Sequence, residues 1–503
     1  MFMMRNSTLQ LIGLALVSLI IYLVAFVLPY NLLVYWQTPG LTIAKIAHDD
    51  PRAGAAYVLA MLALFLLSWL ATRIVLRKSG SGPWAVIIIG ALAFTALMLF
   101  LYPVDAVDVF ENIIRGRMQS LYGANPFYQV PASFPQDPFL KYIGWADYPT
   151  AYGPWWEKIA SFASRIAGNG IVANVLVFKG VSILAYVGTA LLIGLSLHRV
   201  APERALYGVA LFAWNPLVIF TVAGNGHNDA VMTFFVALGL LFLARGRYTL
   251  AALAETGGAL VKFIPALLVP LIYVVALKKM HGRAAKMRFI VITSLACGIL
   301  VLLSYGPYWH GGDILGTKWR STLFTTSLAT LVQIVLIPRL GSELADLVVS
   351  RGALVLLVGW IGWQMWQVWR VPEAKGREKQ SEAEFEQFTS SALLIFVFYL
   401  LVGVLWFQSW YAIWPVALAA LLPDGMLLRG SVILSMAAAA KMPVFDFVLG
   451  FQPGKISPRD IREWQATPAT LGVAWLYFAY HFVKSRVRAR ATQPATSLER
   501  KVL

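Results

Sequence analysis

Runs of about 20 apolar residues recur along the chain, and no soluble domain can bury that many. Residues 9–28, 55–76 and 84–101 are the first three, and similar runs continue to residue 482. Inside a bilayer the backbone must satisfy its own hydrogen bonds, so each run has to become a helix. Counting one helix per run predicts an all-α, polytopic transmembrane bundle of about 13–14 spans. All 503 residues then form one integral membrane domain. Hydrophobic residues make up 59% of the chain, charged residues only 13%, and the mean hydropathy is +0.70, as such a bundle requires.

Charge supplies the topology. The formal excess of +17 is spread over several short loops, among them Arg73, Arg77 and Lys78, then Arg245 and Arg247, then Lys278, Lys279, Arg283, Lys286 and Arg288. Basic loops of this kind mark the cytoplasmic side. They are not gathered into one patch, which argues against a nucleic-acid partner. The first span follows Arg5 and ends in Pro29-Tyr30-Asn31 without a small-residue cleavage site, so it reads as uncleaved with its amino end inside. Parity places the charged loop 370–388 and the basic tail 484–503 in the cytoplasm as well, and both termini there. Residues 323–347 read as external amphipathic or re-entrant structure. The only cysteine, Cys297, excludes an intramolecular disulfide.

On this topology the stretch 102–170 is an external loop. It opens with Asp105, Asp108, Glu111, Asn112, Arg115 and Gln119 on one helical arc, with Phe110, Ile113 and Ile114 opposite. That pattern predicts an amphipathic helix on the membrane surface, acidic side toward water. The same side gathers Asp147, Tyr152, His227, Asp229, Lys318 and Arg320, with many Trp and Tyr residues. A fixed carboxylate such as Asp108 could take the proton from an attacking hydroxyl. Lys318, Arg320, Arg115 and Lys262 could stabilise a departing phosphate.

The residues Asp105-Ala-Val-Asp-Val-Phe-Glu, Gly123-Ala-Asn-Pro-Phe and Tyr148-Pro-Thr-Ala-Tyr-Gly-Pro154 resemble the first catalytic loop of polyprenol-phosphate-mannose-dependent α-mannosyltransferases. Three later motifs agree in order and side: Asn215-Pro216 with Gly226-His-Asn-Asp229, Leu260-Val-Lys-Phe-Ile-Pro265, and Trp410-Tyr-Ala-Ile-Trp-Pro415. The resemblance covers about residues 100–415. It implies the multi-spanning GT-C class and inverting transfer of one sugar, mannose above all, from a polyprenyl-phosphate donor to a glycan or glycolipid hydroxyl. It further implies a plasma (inner) membrane site on the non-cytoplasmic face. The family's loop aspartate, assigned as general base, falls on Asp108. Phe110-Glu111-Asn112 departs from the aromatic and serine residues usual there, and Glu255 stands in a segment expected to be apolar.

Each residue also has a structural reading. Asp108 or Asp105 could complement a helix N-terminus, Asp147 an Asx turn, and Asn228 or Asp229 a helix cap. Lys262 could snorkel or pair with Glu255 seven residues earlier. Trp410 and Tyr411 could belong to an interfacial belt. The substrate-contact reading takes in Asp105, Asn112, Arg115, Asp147, Tyr152, His227, Asp229, Lys262, Lys318, Arg320, Trp410 and Tyr411. Whether a divalent cation such as Mg or Mn assists is left open. The competing class is a lipid-linked sugar transporter or flippase, with Lys179, Glu255 and Lys262 lining a pathway; the polar density in the loops favours an enzyme.

Overall fold

The computed structural model describes residues 2–76, 81–312, 314–370, 377–448 and 459–491. Parts of the charged loop 370–388 and of the basic tail 484–503, the residues Arg77 and Lys78, and the side chain of Lys318 lie outside what it describes.

The described chain is helical, with isolated bridges only between Asn31 and Leu101 and between Thr325 and Trp406. Helices α1 (Phe2–Tyr22), α2 (Pro51–Leu76) and α3 (Ser81–Met98) pack together through α1. Then come α4 (Asp108–Ser120), α5 (Pro154–Ala167), α6 (Ile171–Val200), α7 (Ala205–Ala213), α8 (Asp229–Ala244) and α9 (Tyr248–Ala259). The second half contains α10 (Val269–Lys279), α11 (Arg283–Tyr305), α12 (Leu328–Leu340), α13 (Ser342–Arg370), α14 (Arg377–Phe398), α15 (Ile413–Ala419), α16 (Met426–Ala439) and α17 (Arg459–Ala491). The bundle's centre is α8, packed on α6 and α9.

Seven described helices are long and apolar enough to cross a bilayer, or eight if a bent pair counts as one. Shorter apolar helices, α3 and α8 among them, account for further runs counted in the sequence. Large apolar side chains such as Leu184, Leu302 and Val355 stand exposed on the long helices. A surface of that kind faces lipid rather than water, and the chain is a multi-pass membrane protein.

Breaks, not lengths, position the site. The bent pair turns by 53° between residues 202–213 and 216–224. Asn215 causes it: its side chain accepts the Val218 amide at 3.2 Å as an N-cap, and Pro216 sits at the first helical position. The chain then unwinds to Asn225, whose Oδ1 accepts the Asp105 amide at 2.9 Å. Lys179, buried within α6, donates from Nζ to the carbonyls of Leu99 and Leu101. It therefore closes the end of α3, just before the acidic stretch.

Two expectations are corrected here. Helix α4 forms over the expected residues, yet it does not lie on a surface with its acidic side in water. Glu111, Asn112, Arg115 and Arg117 are all buried, because α5 and the loop 131–148 cover the polar arc. Glu255 and Lys262 do not pair either. Helix α9 ends at Ala259, so the seven-residue spacing no longer places them on one face, and Lys262 turns to Asp229 instead.

The turn after α9 is zipped to the motif around Tyr152: the Gly153 amide donates to Val261 at 3.0 Å and the Trp155 amide to Leu260 at 2.9 Å. A methyl group at Gly153 would stand 2.2 Å from the Leu260 carbonyl oxygen. Gly153→Ala is expected to destabilise the fold by about 1–3 kcal/mol, read as a lower thermal midpoint, and to displace Tyr152. An unchanged midpoint would show that the zip yields.

Candidate active site

Asp108 is the first residue of α4, where it complements the helix dipole. Its Oδ2 accepts the Tyr152 hydroxyl at 3.3 Å and lies 3.7 Å from His227 Nδ1. Its side chain keeps 22% exposure, toward a cavity of about 930 Å³. Burial pushes this carboxyl up to about 7; Lys262 pulls it down, while Glu111 and Asp229 push it further up. A group so placed exchanges a proton near neutral pH.

His227 and Asp229 flank Asn228 in one tight turn, which Gly226 enters at φ +73°. The first faces Asp108 and the second holds Lys262. His227 stacks on Trp410 with centroids 3.8 Å apart, and burial and then the Lys262 charge push its imidazole well below its ordinary value. It is therefore a neutral ring at pH 7. Asp229, fully buried, accepts Lys262 Nζ at 2.9 and 3.0 Å and the Trp414 indole at 2.7 Å. Tyr152, Tyr411 and Trp414 surround the Lys262 ammonium at 5.8, 4.4 and 5.6 Å from their ring centres.

The wall opposite carries Arg320, whose guanidinium lies 4.6 Å over the Phe263 ring. Asp105 lines the same cavity and accepts the Ser409 hydroxyl at 2.9 Å. Burial raises its carboxyl, with Ser409 and Lys441 opposing. Trp145, Tyr148, Trp319 and Trp406 surround this polar part. The remainder of the cavity is apolar and reaches Ala353, Leu354 and Leu357 on α13. These residues belong to a membrane-length helix, so the apolar part of the cavity runs beside it.

The cavity thus brings together Asp105, Asp108, Arg115, Tyr152, Lys262, Arg320, Trp410 and Tyr411 from the residues singled out in the sequence, with His227 and Asp229 directly behind them. Arg115 is committed to holding the loop. It pairs with Glu111 at 2.6 Å and donates to the Tyr148 carbonyl at 3.2 Å, while Glu111 accepts the amides of Gly144 and Trp145. Asn112 is turned away and accepts the Trp156 indole at 2.9 Å. Asp147 is exposed and outside the cavity lining. Lys318 belongs to the turn Thr317–Arg320 beside the cavity. Among the described residues no three His, Cys, Asp or Glu side chains are placed to hold a metal ion.

Some contributors escaped the sequence reading. Asn225, Gln408 and Ser409 stand just before the motifs at 226–229 and 410–415, but only the fold shows that they fix or flank Asp105. Trp145, Trp319 and Trp406 come from three separate segments with no shared pattern.

A model of the alpha-(1->6)-mannopyranosyltransferase family, N-terminal domain, matches residues 8–278, more than half of the chain. The chain belongs to this family. Alpha-(1->6)-mannopyranosyltransferase A of Corynebacterium glutamicum is 29% identical over 165 residues, 31% of this chain and 32% of its own length. Alpha-(1->6)-mannopyranosyltransferase A of Mycobacterium tuberculosis is 25% identical over 266 residues, 48% of this chain and 50% of its own length. The B enzyme of the same name from C. glutamicum is 28% identical over 160 residues, 31% of this chain and 26% of its own length. These matches span half of the curated relatives' length or less. No solved structure matches the chain significantly. The family match contains Asp108, Tyr152, His227, Asp229 and Lys262, whereas Arg320 and Trp410 lie beyond it.

Proposed function

We propose that this member of the family transfers mannose, with inversion, from a polyprenyl-phosphate donor to a hydroxyl group of a glycan or glycolipid. The observation that carries this reading is one cavity holding a carboxyl that titrates near 7, two cationic side chains and an apolar arm running beside a membrane-length helix. The mannose follows from the names of the curated relatives.

The acceptor hydroxyl gives its proton to Asp108 as its oxygen forms a bond to the anomeric carbon. The bond from that carbon to the phosphate oxygen breaks, and polyprenyl phosphate leaves with the electron pair and one more negative charge. Arg320 and Lys262 lie where they can hold that charge. The Tyr152 hydroxyl keeps the Asp108 carboxylate aimed at the cavity, with the His227 ring packed behind it. The apolar arm would take the donor's prenyl chain, and the surrounding aromatic rings would pack on sugar faces. Helices α10 and α11 carry Lys278, Lys279, Arg283 and Lys286 at the ends remote from Lys262, which supports a non-cytoplasmic site under the positive-inside rule.

The test is transfer by the purified protein from labelled polyprenyl-phosphate mannose to a panel of mannosides, with the anomeric configuration of the product determined by NMR. Transfer with inverted configuration is expected; retention, or no turnover with any mannoside, would sink the proposal. A second prediction concerns Tyr152. Tyr152→Phe removes the hydroxyl that donates to the carboxylate, so Asp108 becomes harder to ionise and the acid limb of the pH profile moves upward by about one unit. Activity then recovers at alkaline pH. A uniform loss at every pH would show that the Tyr152 hydroxyl acts elsewhere.

A further inference from the structure

We infer that Glu463, on the last described helix and outside the family match, is a positioning residue that sets the cavity wall carrying Arg320. This inference rests on the function proposed above for that cavity. Glu463 is 5% exposed and lies 137 residues from its main partner in sequence. Its Oε2 accepts the Thr326 amide at 2.7 Å, and its Oε1 accepts the Thr325 hydroxyl at 2.7 Å. Thr326 has φ +48°, a left-handed conformation that a β-branched residue adopts only when its surroundings impose it. Thr326 is fully buried, and the carboxylate on its amide is the contact that imposes it.

The residues on either side explain why that conformation matters. The Thr325 amide donates to the Leu405 carbonyl at 3.1 Å, and the Phe407 amide donates back to Thr325 at 3.1 Å. This short parallel ladder fixes 405–407, and Leu405, Trp406 and Gln408 line the cavity. On the other side, Trp319, Arg320, Ser321 and Leu323 line it too. Arg459, one turn earlier on α17, donates to the Phe324 carbonyl at 3.1 Å and to Gln333 at 3.0 Å. The N-terminal turns of α17 therefore clamp the point from which both cavity-lining segments diverge. Glu463 is not part of the cavity lining, so its effect passes through the placement of Arg320 and Trp406.

A clamp depends on reach, not on charge. Glu463→Gln keeps the length and an acceptor for the Thr326 amide, whereas Glu463→Asp keeps the charge and loses one methylene of reach. The full chain in lipid nanodiscs would be compared in both forms. Hydrogen exchange of peptides covering 319–327 and 404–408 is expected to accelerate in Glu463→Asp and to stay near wild type in Glu463→Gln. In the transfer assay, Glu463→Asp raises KM for polyprenyl-phosphate mannose about tenfold, the size of one lost charge-assisted hydrogen bond, with kcat within about twofold. Unchanged exchange in Glu463→Asp overturns the clamp, as does Glu463→Gln behaving as badly as Glu463→Asp. A fall in kcat with KM unchanged overturns the positioning role. Should wild-type protein show no transfer at all, the proposed function fails, while the exchange data still decide the clamp.

Discussion

Asp108→Asn is expected to lower the rate of transfer by a factor of about 10²–10⁴ and to leave the protein folded. The substitution is isosteric, and the amide oxygen can still accept the Tyr152 hydroxyl. Only the capacity to take a proton is removed. In the wild-type protein the carboxyl titrates near 7, and only its ionised form can act as the base. The rate should therefore fall about tenfold per pH unit below that value and level off above it. Stability runs the other way. The folded-state value of about 7 exceeds an unfolded value of about 3.9. The folded state thus binds the proton more tightly, and the stability this contributes is fully present below about pH 3.9 and is lost progressively as pH rises to 7. Between about pH 4 and 7 the wild-type thermal midpoint should drop relative to that of Asp108→Asn, which carries no charge to bury, and the difference should level off above 7. A variant as active as wild type, or one less stable above pH 7, would remove Asp108 from the role of base.

The polar residues legible in the sequence were those standing at the ends of apolar runs. A carboxylate beside a membrane helix must find either water or a partner, and this is why Asp105, Asp108, Asp229 and Lys262 all reach one site. What the pattern could not show was which partner each would take. The pairing of Glu255 with Lys262 assumed a continuous helix, and α9 stops after Ala259. The exposed acidic face of α4 assumed that nothing would cover it, yet Glu111 and Arg115 spend their polar atoms on the backbone of residues 144–148. Long-range closure is the least legible of all. The contact from Glu463 to Thr326 depends on a strained backbone angle, and no local propensity announces it. Span counting, too, sees apolar length but not the Asn215-Pro216 break, where a cap and a proline divide one run into two helices.

Asp229→Asn and Lys262→Met should move the pH profile in opposite directions, and both should cost stability. Removing one member of a buried ion pair leaves the other uncompensated, which costs about 3–5 kcal/mol. The 13% exposure of the Lys262 side chain and the three aromatic faces around it place its orphaned ammonium at the lower end of that range. Asp229 has no such relief, since it is fully buried with Lys262 and Trp414 on its carboxylate. Lys262→Met is therefore the more damaging variant above neutral pH. The double variant, with both charges gone, should recover most of the stability. At the active site the signs separate. Lys262 holds the Asp108 carboxyl down and Asp229 pushes it up. Lys262→Met raises it, so that the acid limb moves to higher pH. Asp229→Asn leaves the ammonium unopposed, lowers it, and extends activity to lower pH. Shifts of the same sign in both variants would mean that the pair acts through the shape of the cavity rather than through its field. Opposite shifts, with recovery of stability in the double variant, would mean that one buried pair both holds the turn at 226–229 in place and tunes the base.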